Sequence, residues 1–252
     1  MFDATLHTQV VWALFALAGL TFVLLFFISA PYGRHARAGW GPSMPSRLVW
    51  VVMESPSVLV FAVVFAFGAH RGEVVPLVLL MLWQLHYLHR TYVFPFRIRA
   101  KGKRTPVVVG FMALAFTSVN AWVNAAWVGH LGTYELGWLV DPRFLGGVAL
   151  FLVGWVIKLH ADTVLIRLRA PGETGYRIPQ GGLYRYVSCP NYLGEILEWV
   201  GWALATWSLA GAAFAIYTIA NLAPRARTHH RWYQDTFPDY PPERRALLPF
   251  IA

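Results

Sequence analysis

The fold class this sequence predicts is all-α: a polytopic membrane protein. Three observations predict it. Of 252 residues, 57% are hydrophobic and only 13% charged, so a water-soluble fold would leave large apolar surfaces exposed. The apolar residues fall into runs about as long as a bilayer is thick. The cations gather between alternate runs.

A helix needs roughly 20 apolar residues to cross the hydrocarbon. Suitable runs lie at 10–30, 48–68, 75–94, 107–128, 144–166, 192–207 and 212–223. They predict about seven transmembrane helices, with the last two joined by a tight Ser-Leu-Ala-Gly turn at 208–211. Lys and Arg accumulate in cytoplasmic loops. Arg34, Arg37 and Arg47 follow the first run, and Arg97, Arg99, Lys101, Lys103 and Arg104 follow the third. Arg167, Arg169, Arg177 and Arg185 follow the fifth, and Arg225, Arg227, Arg231, Arg244 and Arg245 end the chain. This alternation predicts an extracytoplasmic N-terminus and a cytoplasmic C-terminus. The net charge of +9 is thereby assigned to topology and anionic lipid headgroups, with no nucleic-acid partner.

Other classes are excluded by what is missing. Cys189 is the single cysteine, so an intrachain disulfide and a thiolate metal cluster are both impossible. Residues 1–9 lack a basic n-region, so the first run is read as a retained helix and not a cleaved signal. There is no Gly-x-Gly-x-x-Gly after a strand and no Walker loop. His86 and His89 share a helix face, but no further ligand at zinc spacing follows, and no metal site is read.

Ionisable groups inside the apolar runs are the candidates for function, because each costs about 2.5–3.5 kcal/mol at membrane depth. Glu54 lies within the second run. Tyr87 lies at the cytoplasmic half of the third, among Gln84, His86, His89 and Arg90. A buried phenol has one donor to place. Asn120 and Asn124 are spaced i, i+4, as for interhelical hydrogen bonds. Lys158 and Asp162 are spaced for an i, i+4 salt bridge. Asn191, Glu195 and Glu198 form one polar stripe on an apolar helix that Pro190 opens. Between those last two regions runs a Gly/Pro-rich loop with Arg167, Arg169, Arg177 and Arg185, suited to an anionic ligand.

The segment GETGYRIPQGGLYRYVSCPNYLGEILEWVGWALATWS resembles the C-terminal signature of the steroid 5-alpha-reductase family. Its short core of Gly182, Tyr184, Val187, Pro190, Asn191, Tyr192 and Gly194 is shared with isoprenylcysteine-type methyltransferases, while Tyr176 to Gly182, Glu195 to Trp199 and matches upstream narrow it. The resemblance implies an NADPH-dependent enzyme that reduces the Δ4 double bond of 3-oxo-steroids. It sets Glu54 and Tyr87 as the pair polarising the carbonyl. Asp162, Arg169, Tyr176, Arg177, Asn191, Glu195, His229 and Tyr233 match cofactor-binding positions, and Trp50, Met53, Phe116, Trp199, Phe214 and Tyr217 would line the substrate pocket. Lys158, Met53 and Asn221 depart from the family pattern, where mammalian members have Asn, Gln and an aromatic.

The expected organisation is thus a single integral membrane domain, with substrate-side helices in 10–94 and a cofactor-binding region in 95–252. The expected partners are a hydrophobic enone and membrane lipids, with the chain acting as a monomer. Its composition points to a bacterial inner membrane, or the endoplasmic reticulum for a eukaryotic chain. The rival readings are an S-adenosylmethionine-dependent methyltransferase, a trans-2-enoyl thioester reductase and a non-enzymatic sterol-binding protein.

Overall fold

The computed structural model describes residues 2–28, 39–98, 102–168 and 175–250. The first helix, α1 (Ala4–Phe27), opens on Asp3, whose carboxylate accepts from the Leu6 amide at 2.8 Å. It begins six residues before the predicted 10 because this cap, and not hydropathy, sets its start. Trp12, Leu20, Val23 and Phe27 stand exposed along it, as on a helix bathed in lipid. His7 anchors it, with Nε2 2.9 Å from the Val123 carbonyl oxygen.

Two short antiparallel strands, β1 (Ser43–Pro45) and β2 (Arg104–Pro106), pair Met44 with Thr105. They launch α2 (Ser46–Ala66) and α5 (Val107–Ala126) side by side in the same direction. Between them in sequence, α3 (Val74–Leu88) runs antiparallel to α2, then loosens into a π-helical turn (His89–Val93) and a short α4 (Phe94–Arg97). Beyond α5 a second π-helical turn (Trp127–Leu131) leads to α6 (Pro142–Arg167), capped by Asp141.

α6 and α7 (Pro190–Thr206) pair closely through glycines spaced seven apart on each helix. Gly154 faces Gly194, and Gly147 faces Gly201. A Cβ at Gly194 would come within 2.6 Å of the Gly154 carbonyl oxygen, and one at Gly201 within 2.5 Å of that of Gly147. Without lipid-excluding force between apolar helices, such small-residue seams supply the close van der Waals contact that holds them.

The link from α7 to α8 (Leu209–Thr236) differs from the expected four-residue turn. Trp207 adopts a left-handed conformation with φ of 45°, and Ser208 caps α8 by accepting from the Gly211 amide at 2.9 Å, so the turn occupies 207–208 alone. α8 then continues past 223, through Pro224, to Thr236, and carries the cytoplasmic-type cations Arg225, Arg227 and Arg231 on a helical extension.

The result is an all-helical membrane protein. Among the described residues, four helices are long and apolar enough to cross a bilayer: Ala4–Phe27, Ser46–Ala66, Val107–Leu131 and Pro142–Arg167. α3 continues without a break through the π-helical turn and α4 to Arg97, α7 has 17 residues, and the second half of α8 is charged.

The glycine seam makes a direct prediction. Gly154→Ala and Gly194→Ala each force backbones apart at a cost of about 1–3 kcal/mol, the usual overpacking range. Each should lower the melting temperature of the detergent-solubilised protein. Gly146→Ala, whose Cβ would meet nothing within 4 Å, should not.

Candidate functional site

Hydrogen bonds between α2 and α3 fix their register. Trp83 Nε1 donates to the Ser57 carbonyl at 2.7 Å, Gln84 Nε2 to that of Val58 at 3.1 Å, and Trp50 Nε1 to that of Arg90 at 3.1 Å. Running antiparallel between those rungs, Tyr87 comes level with Met53 and Glu54. Both Glu54 and Tyr87 are buried.

One turn beyond Tyr87, Arg90 reaches two carboxylates from different helices. Its Nε lies 3.5 Å from Glu54 Oε1 and its Nη1 3.6 Å from Glu195 Oε2. The guanidinium lies 4.8 Å over the ring of Trp50. Arg47 Nε donates to the Pro95 carbonyl at 3.1 Å. Sequence reasoning missed the role of Arg90. The signal was present: at i+3 from Tyr87, it shares the phenol's helix face.

Behind this chain lies a deeper one. His86 Nδ1 is 2.6 Å from Glu198 Oε1, and Lys158 Nζ is 3.8 Å from Glu198 Oε2 and 3.4 Å from the His86 ring nitrogens. All three side chains are buried. The expected Lys158–Asp162 salt bridge is therefore corrected: Lys158 turns to Glu198 on α7, and Asp162 accepts from Asn191 Nδ2 at 3.2 Å. An i, i+4 spacing permits a pair, but the glycine seam brings α7 close enough to outcompete it.

The expected cofactor residues divide by depth. Glu195 meets Arg90, and Asp162 and Asn191 pair with each other one helical turn from Lys158 and Glu195 respectively. His229 Nε2 lies 3.1 Å from the Tyr192 hydroxyl, on facing sides of α7 and α8. Tyr176, exposed on the loop before α7, meets Trp232 of α8 edge-on at 5.0 Å, and Arg177 beside it is exposed. Tyr233 is buried, its ring stacked on Tyr240 at 5.2 Å. Arg169 lies outside the described residues.

The C-terminal tail braces this loop. Arg244 is buried and donates to the Pro179 carbonyl at 2.9 Å and to Gln180 Oε1 at 2.8 Å. Ser188 Oγ lies 2.6 Å from the Tyr240 hydroxyl and 2.7 Å from His230 Nδ1. Burial, and then nearby Arg245, holds His230 below the usual imidazole pKa, so that at neutral pH Nδ1 can accept from Ser188. Nothing in the sequence pattern marked Arg244 or Ser188 as braces, because both act across chain separations of more than forty residues.

The expected pocket residues also sort themselves. Trp199 packs on Phe214 at 4.3 Å and on Tyr87 at 5.5 Å, and Phe116 stacks on Tyr217 at 3.9 Å with Phe214 at 6.4 Å. These form a continuous aromatic wall beside the phenol. Trp50 stands at Arg90, and the Met53 carbonyl accepts from Thr117 Oγ1 at 2.6 Å.

Comparison with known proteins accords with this arrangement. A family model described as 3-oxo-5-alpha-steroid 4-dehydrogenase matches residues 103–252. A protein named steroid 5-alpha-reductase DET2 from Gossypium hirsutum is 43% identical over 99% of this chain and 98% of its own length. The chain belongs to the steroid 5-alpha-reductase family. A 3-oxo-5-alpha-steroid 4-dehydrogenase 1 from Bos taurus is 42% identical over 94% of this chain and 93% of the relative, and the Arabidopsis thaliana DET2 is 42% identical over 92% and 91%. The family model covers β2, α5 to α8 and the tail. Glu54, Tyr87 and Arg90 lie upstream of it, in the part of the chain that only the full-length relatives cover.

The buried triad of this family member is open to test. Removing one partner of a buried ion pair costs about 3–5 kcal/mol, more than exchanging both for apolar groups. Glu198→Leu and Lys158→Met should each lower the melting temperature. The double variant should melt above the lower of the two.

Proposed function

We propose that the protein reduces the Δ4 double bond of a 3-oxo-steroid, using NADPH. The observation that carries this reading is the chain Glu54, Arg90, Glu195, level with Tyr87. It joins Glu54 to the head of α7, where Asn191 donates to Asp162 of α6. Similarity along nearly the whole chain to proteins named as reductases of such steroids supports it further.

The residues suit both ligands. The aromatic wall of Trp199, Phe214, Phe116 and Tyr217 offers a flat apolar surface to a fused ring system. A nicotinamide carboxamide needs both a donor and an acceptor, which the Asn191–Asp162 and Arg90–Glu195 pairs present, while Arg177 and Arg169 are of the type that clamps phosphate. When bound, the reduced nicotinamide supplies the hydride.

The chain's own residues govern the charge that develops. As the β-carbon of the enone is reduced, negative charge grows on the carbonyl oxygen, and a donor aimed there stabilises that state over the ground state. Tyr87 provides the phenolic donor. Glu54, held by Arg90, orients the carbonyl or supplies a second hydrogen bond. Trp199 closes the site against water by packing on Tyr87. Seven membrane segments, with α3 lengthened by its π-helical turn and α4, would put the Arg-bearing loops and the cofactor mouth in the cytoplasm and let the substrate enter from lipid.

Purified protein in detergent should consume NADPH only when given a Δ4-3-oxo-steroid, with loss of the enone absorbance. Tyr87→Phe should lower kcat by roughly 10²–10³, the usual effect of one oxyanion donor, and Glu54→Gln should also reduce turnover. Wild-type rates in both variants would reject the assigned roles.

A further inference from the structure

Glu198, His86 and Lys158 lie buried behind the proposed cofactor pairs, and the roles given to Tyr87 and Glu54 make no use of them. Among the described residues, the centre they share counts four carboxyl groups against two fixed cations. The carboxyls are Glu54 of α2, Asp162 of α6, and Glu195 and Glu198 of α7; the cations are Arg90 and Lys158. Arg225 of α8, over the Tyr192 ring, and His89, beside Arg97, stand at its rim. With every carboxyl ionised and His86 uncharged, the centre carries an excess of two negative charges, in a molecule whose outer faces are apolar. Uncompensated charge at that depth is strongly disfavoured, and a buried group escapes it by keeping a proton.

The triad has room for that proton. A Glu198 carboxylate accepts from His86 Nδ1 through Oε1, at 2.6 Å, and leaves Oε2 without a hydrogen bond. Lys158 Nζ, 3.8 Å from Oε2, supplies charge there but lies beyond hydrogen-bonding distance. One further proton, on Oε2 or on the imidazole Nε2, halves the excess. Position ties it to the cofactor. Glu198 follows Glu195 by three residues and Lys158 precedes Asp162 by four. The triad therefore stands one helical turn, about 5.4 Å along the axis, behind the Arg90–Glu195 and Asn191–Asp162 pairs that would hold the nicotinamide. That ring is uncharged in NADPH and cationic in NADP+. At an effective dielectric of about 20, a cation one turn away lowers proton occupancy on the order of tenfold or more.

We infer that Glu198 and His86 form a proton-binding site coupled to the redox state of the nicotinamide, occupied beside NADPH and emptied beside NADP+. This rests on the proposed NADPH-dependent activity and deepens it. Hydride transfer takes two electrons and one hydrogen from the cofactor; the site then gives up its proton to solvent and regains one when NADPH replaces NADP+. The balance stays at one proton taken from solvent for each steroid reduced. Lys158 is a positioning residue, whose ammonium keeps the extra proton easy to expel. Coupling of this kind is reciprocal, so NADP+ gains affinity relative to NADPH as pH rises.

The test counts protons and needs no turnover. Detergent-solubilised protein in weak buffer with a pH-indicator dye is mixed with saturating NADP+ or NADPH, and the protons released per bound nucleotide are measured. Ionisation of the nucleotide phosphates is common to both and cancels in the difference. Near neutral pH the wild-type protein should release about one proton more with NADP+ than with NADPH, and the Kd of NADP+ relative to that of NADPH should fall with rising pH, by at most about tenfold per unit. Glu198→Gln, which keeps the shape but cannot ionise, should abolish the difference. Should that variant fail to fold, Lys158→Gln serves: with the neighbouring cation gone, the difference should peak about one pH unit higher or more. Equal release with the two nucleotides, or a difference that neither substitution alters, overturns the inference while leaving NADPH-dependent reduction standing. A wild-type protein that binds neither nucleotide removes the functional reading, and the inference with it.

Discussion

Charge buried among apolar helices is the constraint to which this structure answers. Glu54, Asp162, Glu195 and Glu198 gather with Arg90, Lys158 and His86 in a molecule whose outer faces are made of Leu, Val and Phe. An unpaired charge in such surroundings is strongly disfavoured, so each carboxylate dictates which helix must stand opposite it. Glu195 calls for Arg90 of the turn after α3, Glu198 for His86 of α3 and Lys158 of α6, and Asp162 for Asn191 of α7. Together they tie α2, α3, α6 and α7 to a single centre.

Pairing at this depth needs backbones in close approach, and the glycines at 147, 154, 194 and 201 provide it. Side chains as long as Lys158 and Glu198 can meet across the α6–α7 interface because nothing larger than a hydrogen atom separates the helices above and below them. The aromatic ladder from Trp83 through Trp199 to Phe214 then fills the space left on the α3 and α8 side. Polar centre and aromatic wall meet at Tyr87, which belongs to both.

Much of this was legible in the sequence, for identifiable reasons. Hydropathy found the helices, since burial against lipid imposes apolar runs, and buried charge flagged Glu54 and the stripe on α7. Boundaries set by single hydrogen bonds, such as the Asp3 cap and the Ser208 cap after left-handed Trp207, left no trace in hydropathy. Hydropathy likewise gave no sign of the π-helical turn at His89–Val93 that carries α3 on into α4. Pairing was the least legible feature. Local spacing suggested Lys158 with Asp162, whereas contacts across about 40–110 residues of sequence decided the outcome, joining His86 to Glu198 and Arg90 to Glu195.

The central claim is that one chamber holds a nicotinamide and an enone with Tyr87 and Glu54 at the carbonyl. Transfer of isotope tests it most directly. With NADPH carrying deuterium at the transferable position of the nicotinamide, mass spectrometry of the reduced steroid should find one deuterium from the cofactor at the former β-carbon, and the hydrogen gained at the α-carbon should come from solvent. A reduced product without cofactor-derived label, or with that label at the α-carbon, would contradict the account.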